Sequence, residues 1–121
     1  MTQQSAAATA RTFSDAWTSG DFETAANVVA EDVVFDGPLG HTDGKAAYIE
    51  GLKGLSRFVG LTSANILAAY GDDTQALIMY ELVTSNFGNL LCAKLLTFRE
   101  GKIARDRLTF DSYTVRQVQA T

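Results

Sequence analysis

The chain has almost none of the residues that staple or break small domains: its 121 positions hold one cysteine, one proline and one histidine. A lone cysteine, Cys92, excludes an internal disulfide and a cysteine-based metal cluster. It sits in the apolar run from Leu90 to Leu96 and reads as a small buried hydrophobe rather than a reactive thiol. With Pro38 the only proline, and no repeat, linker or low-complexity tract, the chain reads as one domain over residues 1–121, with residues 1–4 a flexible N-terminus. Long hydrophobic runs are missing too. No segment is apolar enough to span a bilayer, and Met1 to Thr12 is polar and alanine-rich without the apolar stretch of a signal peptide, so a cytoplasmic location is expected. Positive charge is scarce and scattered, ten Lys and Arg against fourteen Asp and Glu, for a net charge of −4. That leaves no footprint for nucleic acid or an anionic membrane.

What is present is an ordinary globular supply of apolar residues, 46% of the chain, in two kinds of pattern. Ala10, Phe13 and Trp17 share one face of a helix expected from Ser5 to Ser19, which Gly20 would end. Asp21 would cap a second helix with Phe22, Ala25, Ala26 and Val29 as its stripe. Val33 to Asp36 reads as a short strand closed by Gly37-Pro38. A third helix is expected after Asp43, with Tyr48, Leu52, Leu55 and Val59 on one face.

From Thr62 the period changes to two. Strands are expected over Thr62 to Tyr70, Gln75 to Thr84, Leu90 to Arg99 and Ile103 to Tyr113, joined by short polar turns as an antiparallel meander. Helices followed by consecutive strands describe an α+β domain with helices on one face of a curved sheet. In the second and third of these strands both faces are apolar: Ala76, Ile78, Tyr80 and Leu82 alternate with Leu77, Met79 and Val83. One face can pack against the helices. The other needs a partner, most simply a second copy of the chain.

The last hairpin decides which side chains share a face. A three-residue loop with Gly101 in the left-handed position sets Phe98 opposite Lys102 and Lys94 opposite Asp106. A two-residue turn would force Glu100 to positive φ and set Lys94 against Arg107. The first register is the expected one. It puts Lys94, Leu96 and Phe98 on the face of Asp106, Leu108 and Phe110.

The order helix, helix, strand, helix, four-stranded meander resembles the nuclear transport factor 2-like superfamily, specifically its SnoaL-like branch. Phe13 to Trp17 with Ser19-Gly20-Asp21-Phe22, Ala30-Glu31-Asp32-Val33-Val34-Phe35, Gly37-Pro38-Leu39-Gly40, Asp43-Gly44-Lys45, Phe98 to Ile103 and Phe110-Asp111 carry the resemblance, which covers nearly the whole chain. It implies a cone-shaped roll, three N-terminal helices packed on a mainly antiparallel sheet that encloses a pocket. The shared face of Lys94 and Asp106 is then the concave, ligand-side one. The fold hosts isomerases, polyketide cyclases, epoxide hydrolases, transport factors and oligomerisation domains alike, so it names no reaction.

Carried over residue by residue, the resemblance alters the known sites. Where ketosteroid isomerases have a base directly before the proline, this chain has Gly37, with Asp36 one step earlier. Their tyrosine donor on the first helix matches Phe13, and their buried aspartic acid falls near Lys94. The last-strand acid of limonene-type epoxide hydrolases, and the comparable carboxylate of polyketide cyclases, falls at Leu108, with Asp106 one inward step away.

The candidate catalytic residues are therefore Asp106, Lys94, Asp36 and His41, the last in the connection that the family places near the cavity mouth. Lys94 and Asp106 read either as a charged anchor for an acidic or carbonyl-bearing ligand, as a proton-transfer pair, or as an ion pair that satisfies itself. Phe13, Trp17, Tyr48, Tyr80, Leu96, Leu108 and Phe110 are the candidate substrate-binding residues. The implied protein is an isomerase, cyclase or hydrolase acting by general acid/base chemistry on a small hydrophobic, oxygen-bearing molecule, with no metal or organic cofactor. The alternatives are a binding protein without turnover and a dimerisation module whose pocket is filled by its own side chains.

Overall fold

A computed structural model describes residues 5–120; the expected flexible N-terminus, residues 1–4, lies outside the described residues. Helix α1 (Ala6–Thr18) starts where the Ser5 hydroxyl accepts from the Ala8 amide at 3.1 Å. Asp21 likewise caps α2 (Phe22–Asn27) by accepting from the Thr24 amide. Each such cap is worth about 1 kcal/mol. Strand β1 (Val29–Gly37) follows, then β2 (Gly40–Asp43) and α3 (Lys45–Val59). Gly60, at φ +68°, ends α3 in the left-handed conformation that glycine adopts without a Cβ penalty. Four long strands complete the sheet: β3 (Leu61–Gly71), β4 (Gln75–Thr84), β5 (Gly88–Arg99) and β6 (Lys102–Phe110). Helix α4 (Tyr113–Ala120) closes the described chain.

The fold is α+β, a curved six-stranded sheet in the order β2-β1-β6-β5-β4-β3 with α1 and α3 packed against it. All neighbours are antiparallel except β1 and β6, which run parallel. In β4 and β5 every second residue points inward, so Ile78, Tyr80, Cys92 and Leu96 are buried with Phe13 and Trp17 of α1 in a single core. A large apolar side chain buried in this way contributes about 1.5–3 kcal/mol. The alternate residues face out, leaving Leu77 and Leu91 more than half exposed on the convex face.

Several expectations need correction. The meander holds, but the first strand begins at Val29, not Val33, and Val29 belongs to the sheet rather than to the α2 stripe. Gly37-Pro38 closes that strand as expected, but at the turn of a hairpin onto β2, which sequence alone did not suggest. The last strand stops at Phe110, and the apolar residues after it form a fourth helix.

The β5–β6 turn has two residues, Glu100 and Gly101, both at positive φ (53° and 77°), with Arg99 opposite Lys102. A bulge follows between Ile103 and Arg105, so Lys94 stands opposite Leu108 and Leu96 opposite Asp106. The expected pairing of Lys94 with Asp106 is thus off by two residues. Turn and bulge together shift the register by an even number, which is why every side chain stays on its expected face.

Candidate functional site

Between α3, the β1–β2 hairpin and the concave sheet lies a cavity of about 370 Å³. Its walls are apolar, from Phe35, Leu52, Leu55, Leu108 and Phe110. Residues with polar groups also line it, Trp17, Tyr48, Tyr80 and Lys94 inside and His41 and Thr42 at the hairpin. Most of these are hydrogen-bond donors.

Lys94 sits on the inner face of β5 between Cys92 and Leu96, 1% exposed. Its Nζ lies 2.9 Å from Oδ2 of Asp106, which is fully buried one strand away on β6. The two meet diagonally across the strands, within reach of a long side chain. Three aromatic rings surround the same ammonium, with centroids at 5.2 Å for Phe13, 5.3 Å for Trp17 and 5.8 Å for Tyr80. Electron-rich ring faces attract a cation, the more strongly when water is excluded. Tyr48 of α3 donates its hydroxyl to the same Asp106 Oδ2 and stacks on Phe13 at 5.9 Å. Lys94 and Tyr48 therefore line the cavity, and Asp106 lies behind them as the acceptor that holds both.

Burial pushes the Tyr48 hydroxyl well above its usual pKa, and the adjacent Asp106 charge adds to the shift. Tyr80 is raised in the same way, by burial first and then by Cys92 and Asp106. Both remain neutral donors across the physiological range. The Cys92 thiol is pushed up to about 11, again chiefly by burial, against opposing contributions from Lys94 and Tyr80. It is the inert small hydrophobe that its sequence context suggests. Three buried atoms here have no partner: Nε1 of Trp17 and Oγ1 of Thr42, both on residues that line the cavity, and Oδ1 of Asp106. A buried donor or acceptor left unpaired costs about 1–3 kcal/mol, which a ligand or an ordered water offsets by bonding to it.

At the mouth, His41 projects from β2 with Nδ1 2.8 Å from Asp36 and Nε2 3.0 Å from Asp43. Neutral imidazole carries one N–H, so two carboxylate partners favour the doubly protonated ring. The hydrogen bond to Asp36 first, and that to Asp43 second, raise the His41 pKa. His41 and Arg105 in turn hold Asp36 below its usual range. This cluster is largely solvated.

Of the expected catalytic residues, Lys94 and His41 line the cavity, whereas Asp106 lies under its floor and Asp36 faces a shallow groove beside Arg105 and Arg107. Trp17, Tyr48, Tyr80, Leu108 and Phe110 line it as expected. Phe13 and Leu96 do not: both are fully buried in the core beneath. The hairpin wall of Phe35, Leu39 and Thr42, and the α3 residues Gly51, Gly54 and Phe58, were missed. The spacing of the latter after Tyr48 was the available signal, since Tyr48, Gly51, Leu55 and Phe58 fall on one helical face.

A family model for the SnoaL-like domain matches residues 10–106. A crystal structure of a protein from Kribbella flavida is similar over 96% of this chain and 94% of its own, at 34% identity and TM-score 0.87. An NTF2-like protein from Cytophaga hutchinsonii superimposes with TM-score 0.80 at 17% identity, covering 95% of this chain and 97% of that one. A second Kribbella flavida protein, provisionally named a ketosteroid isomerase, does so with TM-score 0.79 at 20% identity, covering 89% and 78%. The last two share the fold. No curated protein matches the chain.

Proposed function

The chain belongs to the SnoaL-like domain family, and from that premise we propose that its cavity binds a small apolar molecule by a single uncharged oxygen. The observation that carries this reading is the meeting of Trp17, whose Nε1 has no partner, with the Lys94 ammonium 5.3 Å from its ring centroid, both lining a cavity with mostly apolar walls. Lys94 is already matched by Asp106, so the floor as a whole is neutral and suits a ketone, enol or epoxide oxygen better than a carboxylate. A volume of about 370 Å³ is at the small end for a ligand site.

The test is a titration of Trp17 fluorescence with ketones, terpenoid epoxides, aromatic polyketides and steroids. Trp17 is the only tryptophan, so the signal reports this cavity alone. Saturable binding of oxygenated ligands, weakened at least tenfold in Lys94→Met while hydrocarbons of the same shape bind unchanged, is the expected result. A folded protein that responds to none of them would contradict the reading and favour a self-filled pocket.

Turnover is a second reading, favoured by the hydrogen bond that the cavity-lining Tyr48 donates to Asp106. In this reading Tyr48 takes a proton from the ligand as its own passes to Asp106, while Lys94 stabilises charge developing on the ligand oxygen, the pairing that isomerisation and cyclisation need. Asp106→Asn then lowers turnover by orders of magnitude and leaves binding intact. His41 and Asp36 have a lesser claim, since both stand in the solvated cluster at the mouth, 52% and 41% exposed.

For the convex face we propose a second copy of the chain as the partner. The support is its apolar centre, Leu77, Met79 and Leu91, flanked by Glu81 at one end and Arg107 at the other, which a two-fold axis can bring together. Sedimentation should give a dimer that Leu77→Glu dissociates; a monomeric parent protein would refute it.

A further inference from the structure

The cavity runs along a long stretch of one helix. Along α3 it is lined by Tyr48, Gly51, Leu52, Gly54, Leu55 and Phe58, one continuous stripe of the helix. Tyr48 is 2% exposed at the floor, and Phe58 is 36% exposed at the far end. At 1.5 Å of rise per residue, that stripe runs about 15 Å from the buried donors to solvent.

Two of its residues are out of place in a helix. After proline, glycine is the poorest helix former, and Gly51 and Gly54 lie in the interior of α3. Packing does not explain them: a Cβ added at either position would meet no atom within 4 Å. Nor does backbone conformation, since neither is among the positive-φ glycines of the chain. What their missing side chains leave is open space along the cavity wall. Independently, the lining of the same cavity includes Trp17, 1% exposed, whose Nε1 donor has no acceptor.

We propose that Gly51 and Gly54 open an elongated slot along α3 that sets the length of the ligand. The oxygen seats at the floor against Trp17 Nε1 and Lys94, and an unbranched or flat apolar body lies along the two glycines toward Phe58. At about 30 Å³ per water-sized volume the cavity holds roughly a dozen heavy atoms. This matches a medium-chain ketone extended along the helix. The inference rests on the ligand-pocket reading above and adds to it a shape, a direction and the two residues that set them.

A homologous pair of probes, 2-heptanone and 2-undecanone, tests it through Trp17 fluorescence in the whole protein. The parent chain is expected to bind the longer ketone at least tenfold more tightly. Gly54→Leu, whose side chain would enter the slot, is expected to abolish that preference by weakening 2-undecanone at least tenfold while 2-heptanone stays within twofold. Gly51→Ala and Gly54→Ala control for folding, since a methyl group in open space within a helix should raise the melting temperature by a few degrees. Equal losses for both ketones in Gly54→Leu, or no loss for either, would overturn the length gauge and leave the pocket reading standing. Failure of the parent chain to bind either ketone would overturn both.

Discussion

Lys94 and Asp106 below the cavity and His41 and Asp36 at its mouth are each a cation held within 3.0 Å of a carboxylate. Their surroundings are opposite. The lower pair is at most 1% exposed, while the upper side chains are 52% and 41% exposed. Water screens the upper pair, so its attraction is weak and salt-dependent. The lower pair has lost its hydration, and each partner depends on the other, on Tyr48 and on the three surrounding rings. The same two charge types thus act as a fixed polar floor in one place and as a titratable hairpin clasp in the other.

The sharpest way to break this contrast is to remove one buried partner. Asp106→Ala leaves an ammonium in the core and should cost about 3–5 kcal/mol, read as a lowered midpoint of urea unfolding. Replacing both charges, Lys94→Met with Asp106→Leu, should recover most of that loss, because an apolar pair of similar volume no longer needs hydration. If Asp106→Ala is tolerated as well as His41→Ala, the two clusters do not differ in the way described.

Next in size is Tyr48→Phe, which removes one donor from the buried carboxylate and keeps the ring stacked on Phe13. A hydrogen bond to a charged group is worth about 1.5–3 kcal/mol, and the unfolding midpoint should fall accordingly.

The mouth cluster gives the smallest effect and the clearest pH dependence. His41 has a raised pKa in the folded chain, so its contribution is complete below its unfolded value of about 6.5 and is lost as pH rises through the folded value. Asp36 has a lowered one, so its contribution is present above its unfolded value and is lost as pH falls through the folded value. The clasp is therefore strongest between the two titrations. Proton NMR of His41, the only histidine, should show a raised pKa that returns toward the ordinary value in Asp36→Asn and in high salt. A normal pKa in the parent chain would remove the clasp from the account.

The sequence disclosed the fold where its signals were periodic. The Phe13 and Trp17 stripe, the alternation in β4 and β5 and the helical face of α3 all fold as read. It failed where a local preference was overridden. Glu100 disfavours positive φ, yet the two-residue turn forms because the pairing along β5 and β6 outweighs the strain at one residue. Val29 fits the stripe of α2 and also suits a strand; parallel pairing with β6 decides between them, and no nearby residue announces that contact. The β2 strand is four residues long with one half-buried position, too short to show alternation.

The candidate site was legible to a similar degree. Parity placed Lys94 and Asp106 on one face, the family resemblance made that face the concave one, and the two are in contact there. That Tyr48 would reach across from α3 to the same carboxylate was not visible, because the angle at which a helix crosses a sheet is not written in its spacing. Nor could spacing tell which of the two charged residues would face the cavity and which would lie under it.

The central claim is that an apolar ligand's oxygen seats against Trp17 Nε1 and Lys94, and the vibration of a bound carbonyl reads it directly. With carbonyl-labelled 2-undecanone in the cavity, the difference infrared spectrum should show the C=O stretch below its frequency in a hydrocarbon solvent, because two donors polarise the bond. A bound ketone whose carbonyl vibrates at its hydrocarbon frequency would contradict the account, since the oxygen would then be lying against the apolar wall.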